Sequence, residues 1–321
     1  MNTKKPILIV AAEPFSIFSE ILFKTYNKYK LKRPLVVLAS YKIFKKQMKY
    51  LKYSSSFNII NKKFNHKNLK IDQINLINID FDSSQPFKKI SNISNSYNNK
   101  SFELALSLMK RKIFLGLING PISKTHFLKK KYLGITEYLA KKTKTKNFAM
   151  LIYNKNLAVS PITTHVPLGS VSKLISKKKI INHAKLIMKF YKDKLNTEPK
   201  IAITGLNPHC ESNQINNEEN RIIIPAIKYL NKTFPNISGP YPADSLFMTN
   251  NIKKFDVVIG MYHDQVLTPL KSLYNFNAIN ITLGLPFIRI TPDHGPNSKM
   301  IGKNKSDPSS FISAIKFLEK K

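Results

Sequence analysis

The chain has a single cysteine, Cys210, so it can form no intrachain disulfide and has no Cys-x-x-Cys metal site. Glycine is also scarce, at ten in 321 residues, and neither a Gly-x-Gly-x-x-Gly nor a Walker-type phosphate loop occurs. Any nucleotide must therefore be held by something other than the standard glycine-rich fingerprints. No apolar run nears the roughly 18 residues needed to span a bilayer. Ile7–Ala12 is interrupted by Glu13 and Pro14, so it is expected as a first strand and not a signal peptide, with the cytoplasm as the simplest location. Acidic residues are few, 18 against 53 basic ones, giving a formal charge of +35. Only four of the basic residues are arginine (Arg33, Arg111, Arg221 and Arg289), whereas phosphate and base forks favour arginine. The lysines are spread along the whole chain. Nucleic acid is thus not the expected partner, while small anionic molecules are.

What is present reads as an α/β protein. A chain of this length with 42% hydrophobic residues can bury a sizeable core, in two lobes rather than one. Apolar runs alternate with helix-period segments. Ile7–Ala12 and Leu35–Ala39 are expected as strands around a helix at Ser19–Lys30. Tyr41–Lys70 reads as a solvated helix and loop, and Ser91–Lys100 as a Ser/Asn loop. Phe102, Ala105, Leu108 and Met109 mark a helix ahead of a strand at Ile113–Ile118. Phe148–Tyr153 and Leu157–Ile162 form a strand pair joined by Asn154-Lys155-Asn156. Ile180, Ala184, Ile187 and Phe190 mark another helix, on which His183 reads as a packing or surface residue. Glu218–Asn231 is a further helix, with Pro225 at a kink or in its first turn. The chain closes on an amphipathic helix near Ser309–Lys320.

Three histidines each follow a short apolar run. Leu157–Ile162 leads to His165, Ile201–Ile203 to His209 and Val257–Ile259 to His263. Such runs read as buried strands, and in open α/β sheets ligands bind at the carboxyl ends of the strands. Three imidazoles there, with an open fourth position, would make a catalytic metal site. Spacing alone equally allows three unrelated loop histidines. The densest stretch, Phe255–Pro308, adds Asp264, Lys271, Asn280 and Arg289. Arg289 stands out because arginine is rare here and it lies between Ile288 and Ile290. A partly buried arginine needs an anionic partner, which points to function.

Several segments together resemble the 4-hydroxythreonine-4-phosphate dehydrogenase family. They are GPISK at Gly120–Lys124, TTHVPL at Thr163–Leu168, GLNPH at Gly205–His209 and GPYPADSLF at Gly239–Phe247. MYHDQ at Met261–Gln265, NITLGLPFIR at Asn280–Arg289 and DHG at Asp293–Gly295 complete the set. The resemblance implies a two-lobed α/β/α fold of the isocitrate and isopropylmalate dehydrogenase type, with the active site in the interlobe cleft. The expected lobes are 1–125 plus 275–321, and 126–274. It implies that His165, His209 and His263 bind one divalent metal (zinc, magnesium or cobalt). It also implies that Thr136, Lys271, Asn280 and Arg289 contact substrate. Lys271 is the candidate for proton transfer, and Asp244 and Asp264 are candidates to orient the histidines. NAD or NADP is the implied oxidant, with His294, Gly295 and Gly302 in the adenosine-binding loop that ends near Pro308. The implied reaction oxidises 4-phosphooxy-L-threonine to 2-amino-3-oxo-4-phosphooxybutanoate, which decarboxylates to 3-amino-2-oxopropyl phosphate. A homodimer with ligands from both subunits is implied as well.

Two departures bear on the substrate. The family's Gly-His-Thr-Glu is Gly134-Ile135-Thr136-Glu137 here. Its glycine-rich GEPxGIGPE loop is Ala12-Glu13-Pro14-Phe15-Ser16-Ile17-Phe18-Ser19-Glu20. The alternatives these departures motivate are a dehydrogenase of a 4-phosphorylated sugar acid of the threonate or erythronate type, and a catalytically weakened binding homologue.

Overall fold

The computed structural model describes residues 4–129, 131–211, 216–275, 278–292 and 295–320. It divides into two compact units, Met1–Thr143 with Pro286–Lys321, and Lys144–Leu285.

The first unit is built on six strands: β1 (Ile7–Val10), β2 (Leu35–Ala39), β3 (Phe57–Ile60), β4 (Ile74–Asn78), β5 (Leu117–Asn119) and β12 (Arg289–Pro292). They lie in the order β3-β4-β2-β1-β5-β12, and every neighbouring pair is parallel. β1 and β2 are buried at every position, as continuous apolar runs in a parallel sheet covered on both faces must be. The helix Phe18–Lys28 contributes Ile21 and Leu22 to that core. Asn95–Lys110 contributes Phe102, Ala105, Leu108 and Met109, and Ser309–Glu319 contributes Phe311, Ala314, Ile315 and Leu318.

The second unit holds β6 (Ala149–Tyr153), β7 (Ala158–Pro161), β8 (Ile201–Thr204), β9 (Ile237–Tyr241), β10 (Val257–Gly260) and β11 (Ile279–Leu283). Their order is β11-β6-β7-β10-β8-β9. β6 is antiparallel to both β11 and β7, so the expected strand pair around Asn154–Asn156 is a hairpin. β7, β10, β8 and β9 run parallel. The helix Lys177–Phe190 is capped by Ser176, whose hydroxyl accepts the Lys179 N–H at 3.3 Å, and it buries Ile180, Ala184 and Ile187.

Two local expectations are corrected. Within Tyr41–Lys70 the helix Tyr41–Tyr50 forms, but Phe57–Ile60 is a strand at the end of the first unit's order. Its residues are only partly buried, so it lacks the apolar signature of an inner strand. Ser91–Lys100 is a loop only at Ser91; a short 3₁₀ turn, Asn92–Ser94, leads into a helix from Asn95. That helix start buries polar side chains: Ser94 and Asn98 bond to Glu13, and the Ser101 hydroxyl donates to the Tyr97 carbonyl at 2.8 Å. Hydrogen bonds replace apolar periodicity there, which is why the sequence conceals it. The units also divide at other places than the expected lobes. The helix Ile135–Lys142 packs in the first unit, where the Tyr138 ring meets Phe102 and Phe127 at 5.8 and 5.4 Å. β11 stays in the second unit through its ladder with β6. No helix among the described residues is long and apolar enough to cross a membrane.

Candidate functional site

In the second unit the three histidines stand just past the carboxyl ends of three adjacent parallel strands. His165 follows β7, His263 follows β10 and His209 follows β8, with β10 in the middle. The rings of His165 and His263 lie 5.5 Å apart. Asp264 receives the Nδ1 of His263 at 2.6 Å. A carboxylate accepts only, so Nδ1 carries the proton, and in the neutral imidazole Nε2 keeps the free lone pair. His209 is exposed on its loop with φ 56°, and Cys210 beside it has φ 60°. Two successive non-glycine residues in the left-handed region mark a conformation that the surroundings must enforce. Among the described residues, no group of three or more His, Cys, Asp and Glu gathers closely enough to hold a metal.

Buried polar side chains supply that enforcement. The Thr163 hydroxyl donates to the Met261 carbonyl at 2.8 Å, tying the segment ahead of His165 to the one ahead of His263. Glu219 is buried and accepts the N–H groups of Leu206 and Asn207 at 2.7 and 2.8 Å, plus the Asn207 side-chain amide at 2.8 Å. Burial works against its charge, but the hydrogen bonds from Asn207 and Leu206 prevail and hold its carboxyl below the usual range. An added Cβ at Gly205 would meet the Cys210 Sγ at 2.7 Å and Glu219 Oε1 at 3.0 Å, so only glycine fits under this loop. Sequence reasoning missed Glu219. Its signal was an acidic pair, Glu218-Glu219, in a chain poor in acids. Asp244 is exposed and accepts the Ser245 N–H at 2.7 Å. It lies near Cys210, whose thiol is raised by burial and further by Glu219 and Asp244.

Lys271 sits two turns beyond His263 on the helix His263–Tyr274. Asn280 lies on β11, where its Nδ2 contacts the Met150 sulfur at 3.1 Å. Its Oδ1 is buried and has no hydrogen-bond partner among the described residues. A buried carbonyl oxygen in that state is poised for a donor from elsewhere.

Arg289 and Thr136 belong to the first unit. Arg289 is fully buried; its Nε donates to Asn119 Oδ1 at 2.7 Å and one Nη to the Thr136 hydroxyl at 3.2 Å. Burial lowers its pKa to about 9, while the charge of Glu137 acts to raise it. The guanidinium therefore stays protonated at neutral pH. The N-terminal loop borders this unit's other motif: Gly120 N–H donates to the Val10 carbonyl and Glu13 N–H to the Pro121 carbonyl. Ala12 has φ 59°, so alanine occupies a left-handed position that favours glycine. Phe18 packs its ring over Gly120, where an added Cβ would meet it at 2.9 Å. A cleft of about 460 Å³ opens beside this region, lined by Lys89, Lys124, His126 and residues Gly295–Ser298. Gly302 has φ 71° and lies against the rings of Tyr50 and Phe87. His294 lies outside the described residues.

The family model of the pyridoxal phosphate biosynthetic protein PdxA matches residues 30–318. A 4-hydroxythreonine-4-phosphate dehydrogenase from Sulfurihydrogenibium sp. (strain YO3AOP1) is 40% identical over 314 residues, which is 96% of each chain. The protein of the same name from Aquifex aeolicus (strain VF5) is 33% identical over 320 residues, 98% of each chain. The solved structure of 4-hydroxythreonine-4-phosphate dehydrogenase from Klebsiella pneumoniae is similar with a TM-score of 0.85 at 27% identity, covering 99% of both chains.

Proposed function

Since the chain belongs to the pyridoxal phosphate biosynthetic protein PdxA family, we propose that it is an NAD(P)- and divalent-metal-dependent dehydrogenase of 4-phosphooxy-L-threonine. The oxidised product, 2-amino-3-oxo-4-phosphooxybutanoate, then loses carbon dioxide to give 3-amino-2-oxopropyl phosphate. The observation that carries the reading is the row of histidines at the ends of β7, β10 and β8, with two rings 5.5 Å apart.

The residue types suit a divalent cation such as zinc, cobalt or magnesium, with two of the three histidines brought together in one chain. His165 and His263 are neighbouring imidazoles, Asp264 fixes one tautomer, and His209 stands on the next strand end. When bound, a divalent metal supplies Lewis-acid polarisation of the substrate oxygen, and NAD or NADP supplies the hydride acceptor. The chain's own groups do the rest. Arg289 and Thr136 present donors to an anionic substrate end, and the guanidinium keeps its charge at neutral pH. The buried Oδ1 of Asn280 accepts a hydrogen bond from a substrate hydroxyl or amine. Lys271 holds or moves a proton at its ammonium nitrogen. The cleft with Lys89 and Lys124 beside Gly295 receives the phosphates of the dinucleotide. A second copy of the chain completes the site, which suits an incomplete ligand set in one chain and the 69% exposure of Leu168, three residues past His165.

Ile135 favours a second reading, a dehydrogenase of 4-phosphorylated threonate or erythronate. Isoleucine opens the helix that carries Thr136 and supplies no donor. Steady-state turnover on 4-phosphooxy-L-threonine and on the two phosphorylated sugar acids tests the choice. The proposal expects the amino acid to give the highest kcat/KM, with Ile135→His lowering its KM. A sugar acid ranking first, with Ile135→His neutral or harmful, would put the second reading ahead.

A further inference from the structure

Gln265 lies two residues past His263, and its side chain reaches sideways into the neighbouring strand end. Its Oε1 accepts the Met261 N–H at 2.7 Å and the Thr204 hydroxyl at 2.9 Å, and its Nε2 donates to the Gly205 carbonyl at 2.7 Å. The amide orientation is dictated by these partners. Turned over, it would set two donors against each other at Met261 and two acceptors at Gly205.

The partners are significant. The backbone ladder between β8 and β10 runs from Val257↔Ile201 to Ile259↔Ile203 and stops. Thr204 ends β8, Gly205 begins the loop that delivers His209, and Met261 begins the one that delivers His263. Gln265 thus forms a side-chain rung where the ladder ends. Room for it is built in, since a Cβ at Gly260 would stand 3.2 Å from its Oε1 and 2.3 Å from Val266 Cγ1. Met261 is then held from both sides, its N–H by Gln265 and its carbonyl by Thr163. Glu219 holds the Gly205–Asn207 segment through the N–H groups that Gln265 does not touch.

We infer that Gln265 is a positioning residue that fixes the two strand ends delivering His209 and His263, and with them the metal affinity of the site. This rests on the reading of those histidines as ligands. Gln265→Glu is the informative variant. It keeps an acceptor for Met261 and Thr204 but turns a carboxylate oxygen toward the Gly205 carbonyl, so it releases the His209 loop selectively.

The test is zinc affinity of the metal-stripped full-length protein, measured by competition with a chromogenic chelator. Four forms are compared: unchanged, Gln265→Glu, His209→Ala and the double variant. Gln265→Glu should weaken zinc binding by roughly tenfold or more. In the His209→Ala background the same change should alter it by less than about twofold, because the lost contact acts through His209. Equal losses in both backgrounds would mean a general structural role and would overturn the inference, as would unchanged affinity in Gln265→Glu. Thr204→Val, which removes a single hydroxyl, serves in the same cycle if Gln265→Glu does not fold, with the same coupling to His209 required. If the unchanged protein binds no zinc, cobalt or magnesium, the ligand reading itself falls, and that is seen before any variant is compared.

Discussion

Burying Arg289 deprives a guanidinium of its hydration, and Asn119, Thr136 and the charge of Glu137 are among the groups that offset the loss. The cation kept there is suited to an anionic substrate group. Arg289→Lys retains the charge but loses the planar fork. We expect KM for the phosphorylated substrate to rise about tenfold to a hundredfold, the equivalent of ~1.5–3 kcal/mol, with kcat less affected. Steady-state kinetics beside a melting curve checks this; an unchanged KM would remove Arg289 from the substrate contacts. Its importance was legible because it is one of four arginines among 53 basic residues and sits between two isoleucines. The partners Asn119, Glu219 and Gln265 were not legible. A neutral amide or one acid of a pair shows its role only when the fold brings distant backbone to it.

At the scale of elements, the apolar strands were readable and the polar starts were not. β1, β2, β7, β8 and β10 announce themselves as short β-branched runs, and their carboxyl ends give the histidines' positions. The helix from Asn95 is hidden because its first turn is held by bonds to Glu13, not by apolar contacts. The N-terminal loop shows what its lost glycines mean physically. Ala12 keeps φ 59°, which costs an alanine about 1 kcal/mol relative to glycine. Ala12→Gly should therefore stabilise the protein by up to ~1 kcal/mol in urea unfolding; destabilisation would show that the Cβ packs favourably. His183 links the helix Lys177–Phe190 to the end of β7, with its ring against the Lys179 backbone and the Pro161 carbonyl. Burial lowers its pKa to about 4 from 6.5. Between those values the unfolded chain takes up a proton that the folded one refuses. The contribution is complete above pH 6.5 and is lost as pH falls to 4, on the order of 3 kcal/mol. His183→Gln should flatten that acid limb in denaturant titrations from pH 7 to pH 4.5. An unaltered slope would contradict a buried neutral imidazole.

For the whole molecule, the alternation of strands and helices foretold an α/β protein. The division points were harder to place, because the helix Ile135–Lys142 follows the Gly120–Lys124 motif into the first unit on aromatic contacts that no periodicity encodes. The formal charge of +35 says little about fold but favours anionic substrates and dinucleotides in the encounter step. The most direct test of this account is the formation of reduced NAD(P) from 4-phosphooxy-L-threonine by the chelator-stripped protein as metal is restored. The account predicts no turnover without metal, recovery with zinc, cobalt or magnesium, and no recovery in His209→Ala, whose circular dichroism should match the unchanged protein. Full turnover without added metal, or undiminished turnover in folded His209→Ala, would contradict it.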